Sequence, residues 1–294
     1  MSDLTNKLII GTAQFKKGYG ITNINKRINN KEIKKIFTLI NENNIKYFDT
    51  APFYGNSEKI LGEYINQKEI VTKIPDIKEK IISKKSILET KKVLFQSIKN
   101  LKINNLYGVL LHSSFDLLKP GKKYLIDFLR GIKKDKITKK VGVSIYEKQN
   151  FYDIQRFFFP DIIQLPLNII DRRLITNNFL KKIKDKKIEI HARSVFLQGI
   201  LLENPKNFPP FFQKFKIDFV NLRNEIKKNK ISLLKAYLTF VLTIKEIDKI
   251  VIGIASSKQL GQILKIFNSK KIEKIDIDVP VISNKTLLDP RLWK

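Results

Sequence analysis

Four side chains of this 294-residue sequence could together deliver a proton to a carbonyl oxygen: Asp49, Tyr54, Lys73 and His112. A phenol with an ordinary pKa near ~10 is a poor acid at neutral pH, but an adjacent ammonium favours its phenolate and should draw that pKa toward the working range. Lys73 is the candidate ammonium. Asp49 would pair with it, since a buried unpartnered cation is costly. His112, neutral and donating a hydrogen bond, would orient and polarise the same carbonyl. Taken singly, each residue also has a plain structural explanation: a capping aspartate, a solvent-pointing lysine before Ile74-Pro75, a hydrogen-bonded rim histidine. Only a fold that brings the four together makes them a site.

The elements that could do so recur along the chain. Short apolar runs at 7–11, 45–49, 69–73, 108–112, 140–144, 161–164, 188–193 and 249–253 each lead into a polar or glycine-containing loop. Stretches with helical spacing follow, at 31–43, 57–66, 83–101, 122–134, 147–159, 174–186, 232–245 and 258–267. Strand then helix, eight times over about 250 residues, predicts a single-domain (β/α)8 TIM barrel. The runs do not alternate, as expected of parallel strands covered on both faces. An open doubly wound sheet should carry a GxGxxG after its first strand, and Gly11-Thr12-Ala13-Gln14-Phe15 stands there instead. In a barrel, residues just beyond the strands' C-terminal ends converge on one mouth. Asp49 and Tyr54 follow strand 2, Lys73 strand 3, His112 strand 4, Ser144 strand 5 and Gln164 strand 6.

The stretch 201–230 breaks this rhythm, with Pro205, Pro209-Pro210 and the cluster Phe208, Phe211, Phe212 and Phe215. It reads as a long loop insertion on the C-terminal face, and two roles stay open for it: a wall of the substrate pocket, or a surface excursion packed on the outer helices. A short tail at about 270–294 is a second candidate wall.

Composition narrows the function. At 43% hydrophobic residues the chain can bury a sizeable core, which excludes disorder. With no cysteine there is no disulfide framework, zinc-thiolate site, iron–sulfur cluster or cysteine nucleophile, and no metal is expected. No run approaches the ~20 apolar residues of a membrane span, so the protein is expected to be soluble and cytoplasmic. The formal charge of +29 raises the question of nucleic acid. Only eight of the 57 basic residues are arginine, however, and the lysines spread along the chain in pairs such as Lys34-Lys35, Lys91-Lys92 and Lys181-Lys182. An AT-rich coding sequence accounts for that pattern, and no specific nucleic-acid partner is expected.

The sequence resembles the aldo-keto reductase superfamily over nearly its whole length. The likeness is carried by Asp49-Thr50-Ala51 with Tyr54-Gly55 and Ser57-Glu58, by Val71-Thr72-Lys73, Leu110-Leu111-His112, Val141-Gly142-Val143-Ser144, Gln164-Leu165-Pro166-Leu167-Asn168, Asp171-Arg172-Arg173 and Ile252-Gly253-Ile254-Ala255-Ser256-Ser257. It implies reduction of an aldehyde or ketone by NAD(P)H, with Asp49, Tyr54, Lys73 and His112 as catalytic tetrad and Tyr54 as proton donor. Gly11-Thr12-Ala13-Gln14-Phe15 with Tyr19-Gly20-Ile21, and Arg193-Ser194-Val195-Phe196-Leu197-Gln198-Gly199, look like a bacterial branch associated with sugar and surface-polysaccharide pathways. A sugar or nucleotide-sugar carbonyl is therefore the expected substrate.

Cofactor contacts carry over at Gly11, Thr12, Ala13, Ser144, Gln164, Arg193, Gly253, Ser256, Lys258 and Gln259, with Ser144 and Gln164 on the nicotinamide carboxamide. A helix start after strand 8 suits the adenosine phosphate end. The chain departs from the family pattern at Ile145 and Ile263, where many members have asparagine, and at Arg193, where many stack an aromatic ring on nicotinamide. The usual 2′-phosphate clamp is absent near Gly253-Ile254 and Gln259, while Lys258 offers one cation, so a modest preference for NADP(H), with NAD(H) also accepted, is expected. Alternatives to a reductase are a cofactor-binding regulatory protein on the same barrel, a nucleic-acid-associated protein, and a lyase using Lys73 as a Schiff base.

Overall fold

Strands whose apolar residues do not alternate need cover on both faces, and a parallel sheet closed on itself inside a ring of helices supplies it. The computed structural model of the protein describes residues 4–16, 18, 20–21, 28–65, 67–269, 272–273, 275 and 284–293. In it eight parallel strands close in sequence order into one (β/α)8 barrel. They are β1 (Leu8–Gly11), β2 (Tyr47–Asp49), β3 (Glu69–Ile74), β4 (Leu106–Leu111), β5 (Thr138–Ser144), β6 (Ile162–Pro166), β7 (Glu189–Arg193) and β8 (Lys249–Gly253). The register aligns their C-terminal ends: Gly11 pairs with both Asp49 and Gly253, and Ser144 with Gln164.

The helices between strands are α1 (Asn30–Glu42), α2 (Ser57–Tyr64), α3 (Lys84–Leu101), α4 (Lys122–Lys134), α5 (Lys148–Ile154) and α6 (Phe179–Lys184). After β7 come α7 (Pro210–Gln213), α8 (Lys216–Lys228) and α9 (Leu233–Leu242), and after β8 come α10 (Ser257–Phe267) and α11 (Lys285–Leu288). Several start on side-chain caps, as with Asn29 accepting from the Glu32 amide and Ser256 from the Gln259 amide. The main core lies between barrel and helices. Inside the barrel Val71, Leu110 and Ile162 pack together, although β6 neighbours neither β3 nor β4.

The expected loop at 201–230 is largely helical. Phe219, Leu222 and Ile226 of α8 recur at helical spacing and are buried, and the pair Pro209-Pro210 starts α7, where a missing amide costs nothing. Phe208, Phe212, Phe215 and Phe219 form a second core with Tyr237 of α9 and Leu287 and Leu288 of α11. The helices expected at 147–159 and 174–186 are shorter, at Lys148–Ile154 and Phe179–Lys184. Tyr19 and much of the 270–294 tail lie outside the described residues. Among the described residues no helix is long and apolar enough to cross a membrane.

Candidate active site

Asp49 is the last residue of β2, and the chain then turns tightly enough to bring Tyr54 back over the barrel mouth. The Tyr54 amide donates to the Ala51 carbonyl (3.0 Å), and the Ser57 hydroxyl donates to the carbonyls of Tyr54 (2.6 Å) and Thr12 (2.9 Å). Gly55 closes the turn at φ +61°, a left-handed conformation that favours glycine. Phe53 sets its ring edge against Tyr54 at 5.1 Å and His112 at 4.9 Å between centroids, joining the two loops.

Alternation along β3 sends Thr72 and Lys73 to opposite faces. The Thr72 hydroxyl donates to the buried Glu58 carboxylate of α2 (2.9 Å), whereas Lys73 meets Asp49. Lys73 Nζ lies 2.5 Å from Asp49 Oδ1 with both side chains at most 5% exposed, and it also donates to the Thr50 carbonyl (3.1 Å). Gln164 Nε2 donates to the other Asp49 oxygen at 2.8 Å. Two ions removed from water are held only where such extra bonds satisfy them.

The pairing corrects one expectation. The Lys73 ammonium stands 5.4 Å from the Tyr54 ring centroid, but its charge is committed to Asp49. Burial, with the Asp49 carboxylate adding to it, pushes the Tyr54 phenol far above its ordinary pKa, and the opposing pull of Arg193 is smaller. The Tyr54 phenol is therefore fully protonated at neutral pH, not tuned toward it.

His112 follows β4, its backbone tied to β3 by a bond from its amide to the Ile74 carbonyl (3.0 Å). Its Nδ1 lies 3.0 Å from Asp76 Oδ1. Burial lowers its pKa, Asp76 works the other way, and the Lys73 and Arg193 cations lower it further.

These groups open on a cavity of about 610 Å³, a size typical of small-molecule sites. Every strand end contributes to its wall: Gly11, Asp49, Lys73, His112, Ser144, Gln164, Arg193 and Gly253. Ala13 and Gln259 also line it. Thr12, Ser256 and Lys258 do not. Thr12 is fully buried with its hydroxyl on the Asp49 carbonyl (3.1 Å), so it braces β1 against β2 rather than facing a ligand. Ser256 caps α10, and Lys258 is exposed on its first turn. The next amide and hydroxyl, those of Ser257, already serve an anion, the Glu32 carboxylate of α1, at 2.6 and 2.7 Å.

The residues present fit a nicotinamide cofactor. Among the described residues, Ser144 Oγ and Gln14 Oε1 are buried without a hydrogen-bond partner on residues of the cavity wall, and the Gln164 side-chain nitrogen is spent on Asp49, which leaves its side-chain oxygen as the group it can offer a ligand. At Gly253 a Cβ would come within 2.1 Å of the Gln14 amide, so a larger residue there would require the Gln14 side chain to move. The loop after β7 supplies Ser194, Phe196, Gln198 and Gly199 to the wall. Ser194, Leu197 and Gln198 in it hold left-handed backbone at φ between 46° and 61°, a concentration of strain of the kind found at ligand sites. Asn168 steadies the loop by donating to the Ser194 carbonyl (3.1 Å). Among the described residues no group of three or more His, Asp or Glu is placed to hold a metal ion.

Three functional neighbours were missed at the sequence level: Asp76, Tyr146 and Arg291. Arg193, expected to face nicotinamide, lays its guanidinium on the Tyr146 ring at 4.3 Å from the centroid. Arg291, from the segment after α11, stacks on that ring at 3.7 Å and is itself held by Asp289 (2.6 Å). No local pattern joins these positions; Glu147, next to Tyr146, pairs with Lys285 of α11 at 2.5 Å. The insertion adds Leu202 and Glu203 to the cavity and the C-terminal segment adds Pro290, while the Phe cluster packs in the second core.

The family model described as Aldo/keto reductase family matches residues 7–278. Among solved structures the fold is similar to the holo form of the aldo-keto reductase AKR11C1 from Bacillus halodurans, at 16% identity and TM-score 0.72 over 91% of this chain and 88% of that one. It is also similar to the glycerol dehydrogenase AKR11B4 from Gluconobacter oxydans, at 17% identity and TM-score 0.65 over 90% of this chain and 86% of that one. No curated protein matches by sequence.

Proposed function

The chain belongs to the aldo/keto reductase family and is an NAD(P)-dependent oxidoreductase; from that premise we propose that it reduces the carbonyl of a sugar or nucleotide-sugar, with Tyr54 as proton donor. The observation that carries this reading is the convergence of Tyr54, His112 and the buried Lys73–Asp49 pair (2.5 Å) on one cavity. When bound, the cofactor supplies a hydride to the carbonyl carbon and leaves oxidised. Tyr54 gives its hydroxyl proton to the carbonyl oxygen as charge develops there, and the resulting alcohol is neutral. A high phenol pKa does not prevent this, because an alkoxide is a far stronger base than a phenolate. As the phenolate forms, the Lys73 ammonium offsets part of the cost of its burial without bringing the phenol pKa to neutrality, and Asp49 keeps that ammonium in place.

Ser144, the Gln164 carbonyl, Arg193, the loop after β7, Gly253 and Gln259 would hold the cofactor. Lys258 favours the extra phosphate of NADPH and the Glu32 carboxylate opposes it, so NADPH is bound more tightly by no more than about tenfold, or roughly 1.4 kcal/mol. Gln14, Gln198 and Glu203 give the wall polar groups suited to a polyhydroxylated substrate. The enzyme works in the cytoplasm without a specific nucleic-acid partner. A Schiff-base role for Lys73 is disfavoured by its bonds to Asp49 and Thr50.

A panel of carbonyl sugars, nucleotide-sugars and simple aldehydes, followed by loss of reduced-nicotinamide absorbance, tests the proposal. Turnover is expected with at least one carbonyl sugar. Cofactor binding without consumption across the panel would favour the regulatory alternative.

A further inference from the structure

His112 lines the cavity while its Nδ1 is engaged by Asp76, a residue of the loop leaving β3, at 3.0 Å. Resting on the reductase reading above, we propose that Asp76 is a positioning residue that locks His112 in its Nδ1–H tautomer, so that the imidazolium, and not the neutral ring, donates to the substrate carbonyl.

An ionised carboxylate has only acceptor oxygens, so a ring nitrogen at hydrogen-bond distance from it must carry the hydrogen. Neutral imidazole has a single N–H. With that hydrogen on Nδ1, the remaining nitrogen, Nε2, offers the cavity a lone pair, which faces a carbonyl oxygen acceptor to acceptor. A second proton on Nε2 turns repulsion into a charge-assisted bond. This revises the expected role of His112 as a neutral donor.

The groups around the ring leave Asp76 as the one that decides the tautomer. From the β2 loop come the uncharged Phe53 ring, edge-on at 4.9 Å, and the protonated Tyr54. From β3 comes Lys73, paired with Asp49, and from β7 comes Arg193, stacked on Tyr146. Asp116, in the turn that follows His112, is engaged by the Ile77 amide (3.1 Å) and by Lys119 (2.7 Å). Burial is the largest influence and disfavours the imidazolium, Asp76 favours it, and the two cations add to burial, so the His112 pKa lies below the ordinary histidine value.

The sign of the pH dependence follows. The donating form exists below the His112 pKa and is lost as pH rises through it, so carbonyl reduction falls toward alkaline pH to a floor carried by Tyr54. Asp76→Ala frees the ring to hold its proton on Nε2, where the neutral form donates at every pH. Between pH 6 and 9 the wild-type kcat/KM is expected to fall at least about tenfold and that of Asp76→Ala to stay within about twofold, the scale of one placed donor. Asp76→Glu should retain the wild-type profile.

The deciding measurement is a two-bond 15N–1H correlation spectrum of the full, ligand-free chain labelled at histidine, recorded above the His112 pKa. The chain has two histidines, and loss of one signal set in His112→Asn assigns the other to His191. The Nδ1–H tautomer in wild type and Nε2–H in Asp76→Ala are the expected results. Nε2–H in wild type, an unchanged tautomer in Asp76→Ala, or an equal loss of rate at every pH in that variant would overturn the proposal. Because the spectrum needs neither substrate nor cofactor, the two readings fail separately. The expected tautomers in a protein that reduces no carbonyl would defeat the reductase reading alone, and a working reductase with the other tautomer would defeat this one alone.

Discussion

At the N-terminal end of the barrel the Glu189 carboxylate accepts hydrogen bonds from Tyr107 (2.7 Å), His191 (2.7 Å) and Lys140, while at the C-terminal end Asp49 accepts from Lys73 (2.5 Å) and Gln164 (2.8 Å). Both are interior carboxylates bound to a lysine. Below, Tyr47 packs edge-on against Tyr107 at 5.2 Å and carries Lys249 3.5 Å above its ring, and none of these side chains lines the cavity. Above, among the described residues, Ser144 Oγ and Gln14 Oε1 are buried without a hydrogen-bond partner on residues that line the cavity. Among the described residues, the unpartnered atom of the lower network is His191 Nδ1, enclosed in the barrel. A hydrogen-bonded ion pair at a barrel end is thus no mark of catalysis by itself; unspent hydrogen-bonding capacity beside a cavity is what separates the two ends.

Lys73→Met should give an effect as large as any at the upper end, lowering turnover by two to four orders of magnitude, roughly the worth of assisted proton transfer. It also strands Asp49 without its cation, at about 3–5 kcal/mol. Adding Asp49→Asn should restore the denaturation midpoint but not the rate; recovery of both would make the pair purely structural.

Glu189→Ala at the lower end should show the converse, with stability reduced by about 1–3 kcal/mol in denaturant titration and kcat changed less than about threefold. Burial alone would raise the Glu189 pKa, but its bonds from His191, Lys140 and Tyr107 bring it down to about 2. A depressed carboxylate pKa means stability that is fully present above the ordinary carboxylate range and lost as pH falls toward 2. Glu189→Gln should flatten that acid limb.

A phenol pushed upward has a smaller, graded consequence in the reverse reaction. Alcohol oxidation needs the Tyr54 phenolate, so its rate should climb about tenfold per pH unit in the alkaline range and reach no plateau below pH 10. A plateau near neutrality would mean that Lys73 lowers the phenol pKa after all. The smallest effects belong to cofactor choice: Lys258→Ala and Glu32→Gln should move the NADPH-to-NADH affinity ratio in opposite directions, each by at most about tenfold, read by fluorescence titration at physiological salt.

Much of the upper end was legible because a barrel converts strand ends into neighbours. The run ending at Gly253 is a strand over the very residues expected, and Asp49, Lys73, His112, Ser144 and Gln164 meet although 115 positions separate the first from the last. Helix α8 was not seen, because its charged residues and the prolines before it masked the spacing of Phe219, Leu222 and Ile226. Asp76, Tyr146 and Arg291 matter through tertiary contacts that no sequence spacing encodes. The proton affinity of Tyr54 was misjudged for a related reason: it depends on burial and on how fully Asp49 claims the Lys73 charge, and residue types alone report neither.

The contrast between the two ends rests finally on Tyr54. Tyr54→Phe keeps the ring and removes only the donor, so stopped-flow measurement of hydride transfer under saturating cofactor and a good carbonyl substrate tests it directly. The account predicts unchanged cofactor affinity and a rate lowered by two to four orders of magnitude, the scale of a placed general acid. A variant retaining more than about a tenth of the wild-type rate would contradict it.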